Sequence, residues 1–364
     1  MKEILKPSIF WLFAFIPITF ILEYSHASDS MIFFSAALSI IPIAKLIGEA
    51  TENLAHYTGD AIGGLLNATF GNAPELIISV IALNAGLYDM VLASLVGAIL
   101  ANLLLATGMA FFIGGIKHHD QKYNPVSVRV YTSMMFIAVS SLIIPSAFGR
   151  FFGDNEAYHA NQMNLNILIA ISLLVAYILY LVFMIKTHPD FFISVETKDK
   201  NDGNGEGHKH WSVKRAVSTL VAASVAAAFM SEVLVGAAEG TGKELGMSAA
   251  FIGVVFVAVI GGAAESISAI TMGAKNKVDL TMGIALGSSI QIALFVAPLL
   301  VLLSFFVGPR PMYLNFNRAE TGSVLLAVLL TAVIAGDGHS NWYKGIQLIT
   351  LYVLIAIMFY FIPA

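Results

Sequence analysis

Residues 67–75 read Asn67-Ala68-Thr69-Phe70-Gly71-Asn72-Ala73-Pro74-Glu75. After an offset of 190 positions, residues 257–265 read Val257-Ala258-Val259-Ile260-Gly261-Gly262-Ala263-Ala264-Glu265. Aligned at that offset, Ala68, Gly71, Ala73, Glu75 and Ile77 fall on Ala258, Gly261, Ala263, Glu265 and Ile267. Upstream, Glu49, Thr51, Ile62 and Gly63 fall on Glu239, Thr241, Ile252 and Gly253. Downstream, Asp89, Gly97 and Leu104 fall on Asp279, Gly287 and Leu294. These are twelve identities across 45–108 without a gap. In apolar sequence the count alone carries little weight. The residue types decide: three acids, three glycines and a threonine recur in register.

The surroundings of these stretches place them in a membrane. The 364 residues are 58% apolar and only 12% charged, with a mean hydropathy of +0.82. Soluble domains carry about a quarter charged residues, which excludes a soluble enzyme. Disorder needs high charge and low hydrophobicity. A β-barrel would show alternating segments of about ten residues, whereas the apolar runs here are continuous and about twice as long. Runs of about 20 apolar residues are spanning candidates. They fall at 8–24, 31–56, 61–86, 90–116, 127–148, 163–185, 213–241, 247–273, 280–307, 319–336 and 344–362.

The expected fold is therefore an all-α polytopic membrane protein of about 11 transmembrane helices: an extra N-terminal helix plus two inverted five-helix repeats. The divisions are 1–28 for the extra helix, 29–186 for the first repeat, 187–212 for a polar linker and 213–364 for the second repeat. Five is odd, so the second copy enters the membrane in the opposite sense. Inverted repeats of this kind build secondary transporters, with ion sites near the midplane where the copies meet.

Orientation follows from Lys and Arg. Of the 19 such residues, Arg150, Lys243, Arg310 and Arg318 fall on one side, and Lys45 lies within a span. The remaining 14 fall on the other side. That side reads as cytoplasmic, with the N-terminus inside and the C-terminus outside, in an integral protein of the bacterial plasma membrane. Lys2 and Lys6 precede the first apolar run, and Ser25-His26-Ala27 resembles a cleavage site. The segment reads as a retained helix. The net charge of −4 implies no polyanion partner, hence no nucleic acid. The bilayer is the expected partner, and a homo-oligomer is left open. There are no cysteines, which removes thiolate metal sites and cysteine nucleophiles.

Charged groups at mid-membrane are functional candidates by default. Glu49, Glu52, Glu75, Glu232, Glu239 and Glu265 lie within expected spans, and Lys45 is the base placed well inside one. Glu75 and Glu265 are mid-span; the other four lie nearer span ends, where solvation is an adequate explanation. Pro74 has no N–H, so the carbonyl of Phe70 loses its helical partner. Gly71 eases a break, and Gly261 with Gly262 can loosen the second copy. Freed carbonyls beside a carboxylate are hard oxygen ligands suited to Ca²⁺. The same small residues also permit close helix packing, which would bring the acids together. Asn72, Asn102, Ser288, Ser289 and Gln291 can complete a shell or simply join helices. His208 and His210, in the linker, read as solvated.

Two carboxylates facing each other in a dry site neutralise one divalent cation. Without it, like charges and desolvation both favour a bound proton. Cation and proton then compete for the same oxygens. If access changes only when the site is neutralised, the result is obligatory cation/proton exchange. No cofactor is required, only Ca²⁺ and H⁺ as transported ions. A Na⁺-coupled exchanger is the alternative; a cation channel is a second, distinguished by the absence of counterflow. An intramembrane enzyme finds no nucleophile elbow or His-Glu-x-x-His motif.

Gly71-Asn72-Ala73-Pro74-Glu75 and Gly261-Gly262-Ala263-Ala264-Glu265 resemble the two repeat motifs of the calcium/proton exchangers, a branch of the calcium/cation antiporter superfamily. Gly48-Glu49-Ala50-Thr51-Glu52 and Gly287-Ser288-Ser289-Ile290-Gln291 resemble that family's flanking segments. The resemblance covers essentially the whole chain. It implies a ten-helix core in which Glu75 and Glu265 bind Ca²⁺ and protons alternately, with 31–56 and 213–241 as long mobile helices. It also implies that Glu49, Glu52 and Glu239 line the ion entrances. The family's second motif usually carries Asn where this chain has Gly262, and often a histidine where it has Ser266. The resemblance therefore implies an asymmetric shell.

Overall fold

Helix dominates because runs of apolar residues in lipid must satisfy their own backbone groups. The structure, a computed structural model, describes residues 8–152, 156–192 and 211–362. Lys2, Lys6 and residues 193–210 of the expected linker, with His208 and His210, lie outside the described residues. In chain order the helices are α1 (Ile9–Tyr24), α2 (Asp29–Phe70), α3 (Ala73–Asn84), α4 (Tyr88–His118), α5 (Pro125–Phe152), α6 (Asn161–Thr187) and α7 (Val213–Leu245). They continue as α8 (Ala249–Gly261), α9 (Ala263–Ala274), α10 (Val278–Leu303), α11 (Arg318–Ala335) and α12 (Trp342–Tyr360).

Among the described residues, eight helices are long and apolar enough to cross a membrane. The bent pair α8 and α9 makes a ninth. Two expected spans depart from that standard. The first apolar run forms only the short α1. The third is divided between the end of α2 and the short α3.

The separate spans expected at 31–56 and 61–86 join in one helix assignment, but α2 is not straight. A Cβ on Gly63 would stand 2.9 Å from the carbonyl oxygen of Ala55. In a straight helix, residues eight apart are about 12 Å apart along the axis. The chain therefore folds back between Ala55 and Gly63.

The two longest helices pack antiparallel. Where α2 begins, the Asp29 and Ser30 amides donate to the Glu244 carboxylate at the end of α7, each at 3.1 Å. At the other end, the Trp211 amide before α7 donates to Asn53 Oδ1 at 2.9 Å, and Tyr57 donates to the Trp211 carbonyl at 2.9 Å. Opposed directions of equivalent helices are what an inverted repeat requires.

Glycine sets a close crossing between the repeats. A Cβ on Gly253 of α8 would lie 2.8 Å from both the Met90 carbonyl oxygen and Ala93 Cβ of α4. One on Gly97 of α4 would collide with the Val254 backbone and Ala258. The α4 and α8 backbones thus touch, holding the start of one broken helix against the first repeat. Gln121–Lys122 and His339–Ser340 form a short antiparallel pair joining the α4–α5 and α11–α12 turns.

Candidate functional site

Each acid sits in the first turn of a half-helix. The turn at Gly71 and Asn72 separates α2 from α3, and Pro74 occupies the opening of α3, where its missing N–H costs nothing. Gly262 separates α8 from α9 with a bend of 62°. Glu75 is the third residue of α3, and Glu265 the third of α9. Backbone N–H groups at a helix start favour negative charge, so both breaks create equivalent seats for a carboxylate inside the bundle.

The seats face each other across the repeats. A Cβ on Gly261 would lie 2.9 Å from Glu75 Cγ. One on Gly262 would lie 3.4 Å from Glu75 Oε1 and 3.8 Å from Asn102 Oδ1. The side chain of Glu75 therefore lies against the glycine break of the other copy, with Asn102 alongside. Both oxygens of Glu75, Oε2 of Glu265 and Nδ2 of Asn102 are buried with no hydrogen-bond partner. Buried polar groups are ordinarily paired. Three carboxylate oxygens and an amide without partners thus gather where the two breaks meet.

Asn72, Ser288 and Gln291 are also brought together, in a different role. Asn72 Nδ2 donates to Gln291 Oε1, and Ser288 donates to Asn72 Oδ1 at 2.7 Å. This bridge ties the first break to α10. Gly262 stands in the place of Asn72 in the second copy and can form no such bridge, and Asn102 Nδ2 has no hydrogen-bond partner. Phe70 closes α2 half-buried beside Gly71. Ser289 donates back to the Ala285 carbonyl at 2.9 Å, which joins it to its own helix.

Two of the expected entrance acids, Glu239 and Glu49, have basic partners of their own. Glu239 is exposed and pairs with Lys243 at 2.8 Å. With Glu232 it lines a cavity of about 550 Å³ between α7 and α3. Glu52 is exposed. Glu49 is paired with Lys45 at 3.8 Å, so the base inside the span has an acid of its own.

Three features escape the residue reading. Glu320, also within a span, is only 3% exposed. It belongs to a capping box: Asn317 N–H donates to Glu320 Oε2 and Glu320 N–H to Asn317 Oδ1, each at 2.8 Å. The Asn-x-x-Glu spacing could have revealed it. Second, Ser79 and Ser94 line a cavity of about 10 Å³ against Glu75, room for about one water. Third, α4 widens to a five-residue hydrogen-bonded turn over Ala101–Ala106 and α10 over Ile292–Val296. The repeat offset superposes these two turns. Widened turns of this kind gather at functional sites, and no residue type announces them.

Comparison with known proteins follows the same lines. The model of the sodium/calcium exchanger protein family matches residues 30–186 and 215–361, once in each half. A Ca²⁺/H⁺ antiporter of Aphanothece halophytica is 39% identical over 363 residues, covering 97% of this chain and 96% of that protein. The Ca²⁺/H⁺ antiporter ChaA of Bacillus subtilis is 40% identical over 346 residues, covering 95% and 96%. The solved structure of native YfkE superposes with a TM-score of 0.83 at 38% identity, over 98% of this chain and all of that one. An H⁺/Ca²⁺ exchanger, CAX, shares the fold with a TM-score of 0.66 at 13% identity, over 96% and 91%.

Proposed function

The chain belongs to the sodium/calcium exchanger protein family and, within it, to the calcium/proton exchangers, and from that premise we propose that it exports cytosolic Ca²⁺ in exchange for protons. The observation that carries this reading is the pair of acids in matching half-helix seats, with three carboxylate oxygens buried and unpartnered. Such a pair is costly to leave charged and empty. One Ca²⁺ or bound protons satisfy it, and the two cannot bind together.

In this reading Glu75 and Glu265 are the shared cation and proton ligands. Backbone around Phe70, Gly71, Gly261 and Gly262 supplies further oxygen, and Asn102 lends its amide oxygen. Asn72, Ser288 and Gln291 hold the first break to α10 and so position Glu75. Glu49 and Glu52 serve the cytoplasmic approach and Glu239 the outer one. Glu265 is partly buried and Glu75 is 7% exposed, so both carboxylates are largely held away from solvent. The protein works in the bacterial plasma membrane, N-terminus inside and C-terminus outside, with no cofactor beyond the transported ions.

Reconstituted protein in lipid vesicles tests the function. Ca²⁺ uptake is expected to follow an imposed pH gradient and to release protons in return. Ca²⁺ movement indifferent to the pH gradient would overturn the reading. Dependence on a Na⁺ gradient instead would select the Na⁺-coupled alternative, and Ca²⁺ flux without counterflow the channel.

A further inference from the structure

Helix α1 lies outside both repeats, and Lys45 is a base within the bilayer-spanning length of α2. The structure connects the two. Lys45 Nζ stands 3.8 Å from Glu49 Oε1, one turn along α2. The same ammonium lies over the ring of Phe10 in α1, 5.0 Å from its centroid. Both partners of the ion pair are partly exposed, Lys45 at 39% and Glu49 at 36%. A partly exposed ion pair is worth little more than thermal energy, and a partly exposed cation–π contact is worth about as much. The ammonium touches both partners at once, and neither holds it outright.

Glu52 lies three residues beyond Glu49, on the same face of the helix. A divalent cation approaching this face meets two carboxylates, one of them already neutralised by a tethered positive charge. We propose that Lys45 is a built-in competitor for the incoming cation: its ammonium is shared between Glu49 and the Phe10 ring until Ca²⁺ takes Glu49 and leaves it on the ring alone. Lys45 thereby sets the Ca²⁺ level at which transport begins, and α1 provides the resting place for the displaced charge. Lys45 is a positioning residue that acts through Glu49, and the inference rests on the exchange function proposed above.

The test is a Ca²⁺ titration of exchange in everted membrane vesicles, which present the cytoplasmic face. Lys45→Met is expected to lower the half-saturating Ca²⁺ concentration by about 3- to 10-fold, as removal of one nearby charge in a partly hydrated setting should. The maximal rate is expected to stay unchanged. Lys45→Gln repeats the test with a polar side chain, and Lys45→Arg is expected to restore the parent value. Phe10→Leu removes the resting place and is expected to raise the half-saturating concentration. In a Glu49→Gln background, Lys45→Met is expected to have no further effect. An unchanged half-saturation in both Lys45→Met and Lys45→Gln overturns the inference, as does an equal shift in the Glu49→Gln background. Absence of proton-coupled Ca²⁺ exchange in the unmodified protein would refute the proposed function instead, so the two failures are distinct.

Discussion

Gly261→Ala is expected to weaken Ca²⁺ binding about tenfold, while Gly262→Ala, one residue away, is expected to change it by less than about threefold. The difference is geometric. A methyl on Gly261 would stand 2.9 Å from Glu75 Cγ, whereas one on Gly262 would stand 3.4 Å from Glu75 Oε1. Carbon atoms pack best at about 3.5–4.0 Å, so the first methyl forces Glu75 back by at least about 0.6 Å and the second barely touches it. Glu75 is only 7% exposed and cannot swing into free space. Displacing it from its rotamer costs about 0.5–1.5 kcal/mol, and overpacking brings the total to about 1–2 kcal/mol. Since 1.4 kcal/mol is about a factor of ten in affinity, the expected range is about 5- to 30-fold.

Neither substitution strains the backbone. Gly262 has φ −83°, and Gly261 is the last helical residue before it, so neither backbone conformation is one that only glycine adopts. Folding should therefore survive, which thermal melting in detergent would verify. The assay is Ca²⁺-dependent proton release from purified protein, titrated with Ca²⁺. Parent-like half-saturation in Gly261→Ala, or equal shifts in the two variants, would refute the packing of Glu75 against this break.

Four further outcomes follow from the same geometry. Glu75→Gln and Glu265→Gln should each abolish exchange in vesicles while the melting temperature holds or rises, because an unpaired buried carboxylate is costly; retained exchange would remove that residue from the central site. Glu232→Gln, at an exposed position lining the cavity between α7 and α3, should reduce transport only mildly, and complete loss there would mean the site is misplaced. Gly262→Asn should give Asn102 the partner it lacks and raise the melting temperature by about 2 °C, the size of one net hydrogen bond; a lower value would count against that pairing. Gly97→Val would drive its side chain into the Val254 backbone and should cost about 1–3 kcal/mol, visible as a melting temperature lower by several degrees.

Some of this architecture was legible in single residues and some in none. Pro74 announced the first break, since an absent N–H has a fixed consequence. The small residues around the two acids announced close packing there, and Gly261 lies against Glu75; the close crossing at Gly97 and Gly253 was not announced. Lys45 and Glu49 stand four apart, a helical ion-pair spacing, yet reading the acids as a group obscured the pair. The capping box at Asn317 and Glu320 was open to the same local reading. By contrast, Phe10 reaches Lys45 from a separate helix, and the fold-back between Ala55 and Gly63 lies within an unbroken helical pattern. The widened turns at Ala101–Ala106 and Ile292–Val296 depend on tertiary packing, which side-chain type does not encode.

The two copies carry the same acids but do not hold them alike, and the differences are of two kinds. Gly97 is buried and its counterpart Gly287 is partly exposed, although the residue is the same. Glu75 and Glu265 differ in the same direction. An inverted repeat opens to one side at a time only if its halves adopt different conformations, so differences at identical residues can be exchanged between halves when access switches. Asn72 and Gly262 differ in residue type, and no conformational change can exchange them. The bridge from Asn72 to Ser288 and Gln291 therefore has no equivalent in the other half in either state. It ties the Glu75 seat to α10, whereas Gly262 gives the Glu265 seat no side chain with which to make the same tie.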